Sequence, residues 1–136
     1  MTFGQKRATD VRYLLDSTIL IDHANGDSEA SSTLRRLIEE GHELYTCDVV
    51  TCETLSRGDD EQLQHLGALL DALEYVSTSP SAAMWAAASR RERHIAGGKR
   101  SLGDALIAGV AVSLEAAVVT RNRSDLERQG VPILTY

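Results

Sequence analysis

Acids stand at several places where an apolar run gives way to a helix start. Asp16 closes Tyr13-Leu14-Leu15, and Glu53 follows Asp48-Val49-Val50. Asp104 opens a helix at Ser101-Leu102-Gly103-Asp104, while Asn122 and Asp125 follow Ala117-Val118-Val119-Thr120. In an open parallel α/β sheet, ligands bind outside the carboxyl ends of the strands. Carboxylates gathered at such an edge repel one another, and a divalent cation relieves that repulsion. The chemistry indicated is that of a hard metal ion held by oxygen.

Each acid also has an ordinary explanation. Asp16-Ser17-Thr18 is a good helix start in which the Asp caps. Ser101 to Asp104 follows the capping-box pattern, with Asp in place of Glu or Gln, and puts a carboxylate at the positive end of a helix. Glu53 reads equally well as a surface glutamate. Capping accounts for each acid singly, but not for several strand ends carrying acids together. On the residues alone, a metal site and a set of unrelated caps both stay open.

The elements that must position these residues alternate. Tyr13–Leu15, Leu44–Cys47, Tyr75–Val76, Val118–Val119 and Ile133–Leu134 read as short strands. Between them, helices are expected over Ile19–Ala24, Thr33–Glu40, Val50–Leu55, Gln62–Leu73, Pro80 to about Ile95, Leu102–Leu114 and Asp125–Gln129. Leu63, Leu66, Leu69, Leu70 and Leu73 fall at helical spacing. Leu102–Leu114 is apolar nearly all round apart from Asp104, the mark of a buried helix. Strands alternating with helices argue for a parallel sheet covered on both faces.

At 136 residues the chain is expected to form one domain over 1–136, with 1–11 as a flexible extension. A net charge of −6 argues against nucleic-acid binding by bulk charge. The basic residues are local, however: Arg90, Arg91, Arg93, Lys99 and Arg100 precede Asp104, and Arg121 and Arg123 flank Asn122. A solvated helix face explains them as well as a phosphate-binding surface does. Cys47 and Cys52 lack metal-site spacing and the histidines are scattered, so a zinc site is not expected. The cysteines read as reduced core thiols, which fits the cytosol. No stretch has a signal peptide's apolar region or the length of a membrane span.

The blocks 13–23 (Tyr-Leu-Leu-Asp-Ser-Thr-Ile-Leu-Ile-Asp-His), 49–58, 101–111 and 118–126 resemble, in order, the four sequence blocks of PIN-domain ribonucleases, especially VapC-type toxins. Asp-x-x-Ile-Ala in the third block is the most specific. The resemblance implies a PIN-like α/β fold, a central parallel sheet of about five strands flanked by helices. It implies a metal-dependent endoribonuclease, the toxin of a toxin–antitoxin pair, acting on RNA in the cytosol.

Under the resemblance, Asp16, Glu53 and Asp104 match the three main acids of the site, with Asp16 and Asp104 as direct ligands to Mg²⁺ or Mn²⁺. The fourth position falls on Asn122, with Asp125 nearby, and either could complete the catalytic set. Ser17 and Thr120 match supporting hydroxyl positions. Arg93, Lys99, Arg100, Arg121 and Arg123 are the candidates for holding substrate phosphates. A cognate antitoxin covering the acidic groove and a homodimer are implied partners.

Other readings are weaker. A haloacid-dehalogenase-type phosphatase needs Asp-x-Asp where Asp16-Ser17-Thr18 stands, and Gly97-Gly98-Lys99 lacks P-loop spacing. A non-catalytic RNA- or protein-binding module on the same fold is the alternative of a different class.

Overall fold

The computed structural model describes residues 11–95 and 101–136. Residues 1–10, and with them nearly all of the expected extension, lie outside this range, as do Gly97, Gly98, Lys99 and Arg100. The elements run β1 (Arg12–Leu15), α1 (Ser17–Ala24), α2 (Ser28–Glu39), β2 (Glu43–Cys47), α3 (Asp48–Leu55), α4 (Asp60–Asp71), β3 (Glu74–Val76), α5 (Pro80–Ile95), α6 (Leu102–Leu114), β4 (Ala117–Val119), α7 (Arg123–Glu127) and β5 (Ile133–Leu134). All five strands pair in parallel, in the order β3-β2-β1-β4-β5.

Tyr13 of β1 lies between Leu44 and Ala117, and Leu14 between Tyr45 and Val118. The chain builds outward from β1 to β2 and β3, then returns across the sheet to β4 and β5. Right-handed crossovers put helices on opposite faces when the direction of building reverses. Accordingly α1 to α4 pack among themselves, as do α5 to α7. The reversal falls between β1 and β4, which makes the carboxyl ends of those strands the crevice of the sheet.

Leu14, Leu15, Val118 and Val119 are wholly buried, as double coverage requires. Beneath α5, the nearly all-apolar α6 buries Ala105, Ile107, Ala108, Gly109, Val110 and Ala111. A Cβ on Gly109 would collide with the backbone carbonyl of Ala82 on α5. That contact sets how closely the two helices approach. Ser89 of α5 also donates to Gln129 beyond α7 at 2.6 Å, fastening the helices to the β4–β5 connection.

Caps account for most departures from the expected boundaries. Helix α2 starts five residues before the expected Thr33 because Asp27 accepts from the Ala30 amide at 2.9 Å. Helix α4 starts at Asp60 because Asp59 and Gln62 form a reciprocal capping box. Helix α1 starts at Ser17, with Asp16 as its cap, and α7 runs Arg123–Glu127, not Asp125–Gln129. The expectation of two core thiols is corrected. Cys47 is buried, and burial pushes its thiol up to about 11, whereas Cys52 faces solvent from α3. Cys52 lies on α3 midway between the buried Val50 and Thr54, which puts it on the opposite side of the helix.

Asp48, the first residue of α3, braces the edge of the sheet. Its carboxylate accepts from the Thr78 amide at 3.1 Å and the Thr78 hydroxyl at 2.7 Å, joining β2 to the loop before α5. Partial burial raises its pKa, but the Thr78 bonds outweigh that and leave it below the usual carboxylate value. A carboxyl depressed on folding adds stability above its unfolded pKa and loses it as pH falls through the lower native value. Asp48→Ala loses these bonds and, with solvent screening of the partly exposed carboxylate, should cost roughly 1 kcal/mol at pH 7. In chemical denaturation at a series of pH values, the gap from wild type should narrow below pH about 4.

Candidate active site

Asp16 sits at the crevice. Its amide continues the sheet by donating to the Val119 carbonyl at 3.0 Å, which fixes the residue between the ends of β1 and β4. Its carboxylate is 4% exposed. Oδ1 accepts from the Ser17 amide at 2.7 Å, and Oδ2 accepts from the Thr120 hydroxyl at 2.7 Å and the Thr18 hydroxyl at 3.4 Å. Burial raises the pKa of Asp16, and the bonds from Thr120, Ser17 and Thr18 oppose the rise without cancelling it. This is more than a cap. A cap accepts from its own helix, whereas Thr120 reaches Asp16 from another strand.

Glu53 and Asp104 come from opposite faces of the sheet. Glu53 projects from α3; Asp104 lies in the first turn of α6, where Ser101 accepts from the Asp104 amide at 3.3 Å. The pKa of Glu53 is raised, first by loss of water around it, then by the negative charges of Asp16 and Asp104. Glu53 thus stands within electrostatic reach of both Asp16 and Asp104. Gly103 permits the approach: a Cβ there would lie 2.8 Å from Glu53 Oε2. Gly103→Ala should displace the carboxylate and not the backbone, because the clashing atom ends a flexible side chain. RNA cleavage is expected to fall about tenfold with little change in melting temperature.

The fourth position joins the same network. The Asn122 amide donates to Thr120 Oγ1 at 2.9 Å, and Thr120 in turn holds Asp16. Asn122 caps α7 without using its side chain. Asp125 lies in the first turn of that helix, and the chain of hydrogen bonds from Asp16 stops short of it, at Asn122.

The expected basic residues divide. Arg121 follows Thr120, its amide donating to Thr18 Oγ1 at 3.0 Å and its guanidinium reaching Asp22 at 2.8 Å. Arg123 pairs with Glu127 along α7 at 3.3 Å. Arg93 donates to the Arg128 carbonyl at 2.9 Å, at the far end of α7. Lys99 and Arg100 lie outside the described residues. Sequence reading missed Asp22 and Tyr136, which bond to each other at 2.6 Å. The only signal for Asp22 was its place four residues after Thr18, on the same helix face.

The donors suit a hard cation. Among the described residues, no group of three acidic, histidine or cysteine side chains stands ready to hold a metal ion. Mg²⁺ does not need one, because it keeps several waters and takes one or two carboxylates. The buried Asp16 oxygens, with the repelled Glu53 beside Asp104, fit that open mode. A cavity of about 980 Å³ lies elsewhere, between α2, α4 and β2, and is lined in part by Leu34, Ile38, Leu44 and Leu73. The chemistry-bearing residues sit at the sheet crevice, not in that cavity. Among the described residues, no helix is long and apolar enough to cross a membrane.

Comparison with known proteins agrees with the topology. The PIN domain model matches residues 13–130. Ribonuclease VapC19 of Mycobacterium tuberculosis is 31% identical over 111 residues, spanning 80% of this chain and 87% of the relative. Among solved structures, VapBC2 from Rickettsia felis, bound to a DNA fragment from its promoter, superposes with a TM-score of 0.81 at 20% identity, covering 93% of this chain and 99% of that one. DNA-bound VapBC from Salmonella typhimurium gives 0.79 at 21% identity, covering 92% and 98%. With the order of its sequence blocks, its parallel sheet and the match over residues 13–130 all in agreement, the chain belongs to the PIN domain family, and within it to the VapC group.

Proposed function

We propose that the chain is the toxin of a toxin–antitoxin pair, an endoribonuclease that uses Mg²⁺ or Mn²⁺ to cut RNA. The carrying observation is a buried Asp16 fixed between β1 and β4, with Glu53 within repelling range of it and of Asp104. Family membership and the ribonuclease relative support the same reading. Asp16 and Asp104 would hold the ion, with Glu53 as the third acid and Asn122 or Asp125 completing the set. A bound divalent ion lowers the pKa of a water and stabilises charge on a phosphate undergoing in-line displacement. Thr120 and the Ser17 amide keep the Asp16 carboxylate aimed into the crevice.

Carboxylates repel phosphate, so substrate needs cations at the rim. Arg121 and Arg123 serve there, with Lys99 and Arg100 as further candidates from the segment before Asp104. Arg93 is the weakest member of the expected set, since it is bonded to Arg128. The solved VapBC complexes support a cognate antitoxin as partner; its place over the acidic groove, and a homodimer in the cytosol, complete the proposal.

Purified chain incubated with total bacterial RNA tests the reading. Discrete new 5′ ends should form with Mg²⁺ or Mn²⁺ and vanish with excess EDTA. Cleavage that persists in EDTA would remove the metal, and no cleavage under any condition would favour a non-catalytic binding module.

A further inference from the structure

Asp22 and Tyr136 lie outside the proposed ligand set, yet they form a compact polar group one helical turn along α1 from the acidic crevice. Asp22 lies four residues after Thr18 and so on the same helix face, ~6 Å further along the axis. Arg121 Nη1 donates to Asp22 Oδ1 at 2.8 Å and to Oδ2 at 3.0 Å. The Tyr136 hydroxyl donates to Oδ2 at 2.6 Å. Burial, then the bond to Asp22, keeps that hydroxyl protonated well above its usual range, so it acts as a donor. The Asp22 side chain is 13% exposed, whereas that of Arg121 is 59% exposed.

This asymmetry matters. A surface ion pair between two flexible side chains contributes little and strays easily. Here the acid is sunk and held by a second donor, while the cation stands out in solvent. Asp22 engages Arg121 through a single nitrogen, Nη1. Guanidinium carries five donors in a rigid fork, so its remaining edge suits a phosphate. The Arg121 backbone is tied to Thr18, which also bonds Asp16, so the offset of the cation from the crevice is fixed.

We infer that Asp22 and Tyr136 are positioning residues that hold Arg121 as a fixed anchor for a phosphate flanking the scissile one. The inference rests on the nuclease reading above. It assigns Arg121 to substrate binding, not to the chemical step.

The test is binding of a labelled single-stranded RNA of mixed sequence, followed by anisotropy over a range of KCl concentrations. The Asp104→Asn background keeps the probe intact. Arg121→Ala should weaken binding about tenfold and flatten the salt slope by about 0.7, the contribution of one phosphate on a single strand. Tyr136→Phe changes no charge and keeps the ring, and it should weaken binding about threefold. Asp22→Asn should weaken binding where Arg121 is present and not where it is alanine. A purely structural Asp22 would lower melting temperature without moving the salt slope.

Two results overturn the proposal: tighter binding by Asp22→Asn with Arg121 present, as simple loss of repulsion would give, or equal effects with and without Arg121. Cleavage by the otherwise unmodified chain, measured in parallel, separates the two readings. If it cuts RNA while Tyr136→Phe and Asp22→Asn bind as their parent does, only the positioning role fails. If it neither binds nor cuts RNA, the nuclease reading fails and takes the anchor with it.

Discussion

Asp16→Asn and Asp104→Asn are each expected to lower RNA cleavage by about a thousandfold, ~4 kcal/mol of transition-state stabilisation. Neither should unfold the protein. Asp16 accepts two short bonds, from the Ser17 amide and the Thr120 hydroxyl. An asparagine keeps one acceptor oxygen for the amide, and the Thr120 hydroxyl can turn to accept from the new NH₂. The native pKa of Asp16 is raised, so the folded state favours the protonated form. A carboxyl raised on folding costs stability as pH climbs above its unfolded value. Asp16→Asn should therefore melt at or above the temperature of the unsubstituted chain in metal-free buffer. Loss of cleavage together with a clear fall in melting temperature would assign Asp16 to folding instead.

Gly109→Ala is expected to carry the largest stability loss of any single-methyl change in the chain. The added Cβ would meet the Ala82 carbonyl group, its carbon 3.2 Å away, and the obstacle is backbone on both sides. Helices α5 and α6 would have to separate along their shared face, which includes Ala82, Ala86, Ala105 and Ala108, all buried. Overpacking of a close-packed core costs typically 1–3 kcal/mol, and a backbone obstacle puts this case at or above the upper end, roughly 3 kcal/mol. The higher helix propensity of alanine returns only ~1 kcal/mol of that. Urea denaturation should show a lower midpoint with an unchanged slope. A midpoint equal to that of wild type would mean that the α5–α6 contact is looser than the structure has it.

Much of the fold was legible because the signals were local. Short apolar runs such as Val118-Val119, bounded by helix starts, can be little else than buried strands. Asp16, Glu53 and Asp104 were legible as a group because a parallel sheet sends every strand end to one edge. What escaped was set by partners distant in sequence. Apolar spacing begins near Thr33 and points to a start of α2 there, while the cap at Asp27 lies in a polar stretch with no periodicity. Cys52 lies near a strand, but its place on α3, two residues past the buried Val50, turns it outward. Asp22 and Tyr136 are 114 positions apart, and only the closing of β5 beside β4 brings them together. Gly103 carries its meaning in an absent side chain, visible once Glu53 is seen lying against it. The expected role of Arg93 ran into the same limit, since its bond to Arg128 depends on how α5 meets α7.

The central claim is that Asp16 and Asp104, 88 positions apart (104 − 16), share one cation. Titration of Mn²⁺ into the unsubstituted protein, Asp16→Asn and Asp104→Asn, followed by electron paramagnetic resonance of the free ion, tests it without reference to activity. Both variants should lose the tight binding that the unsubstituted protein has. Tight binding retained in either variant would place the ion elsewhere and contradict the shared site.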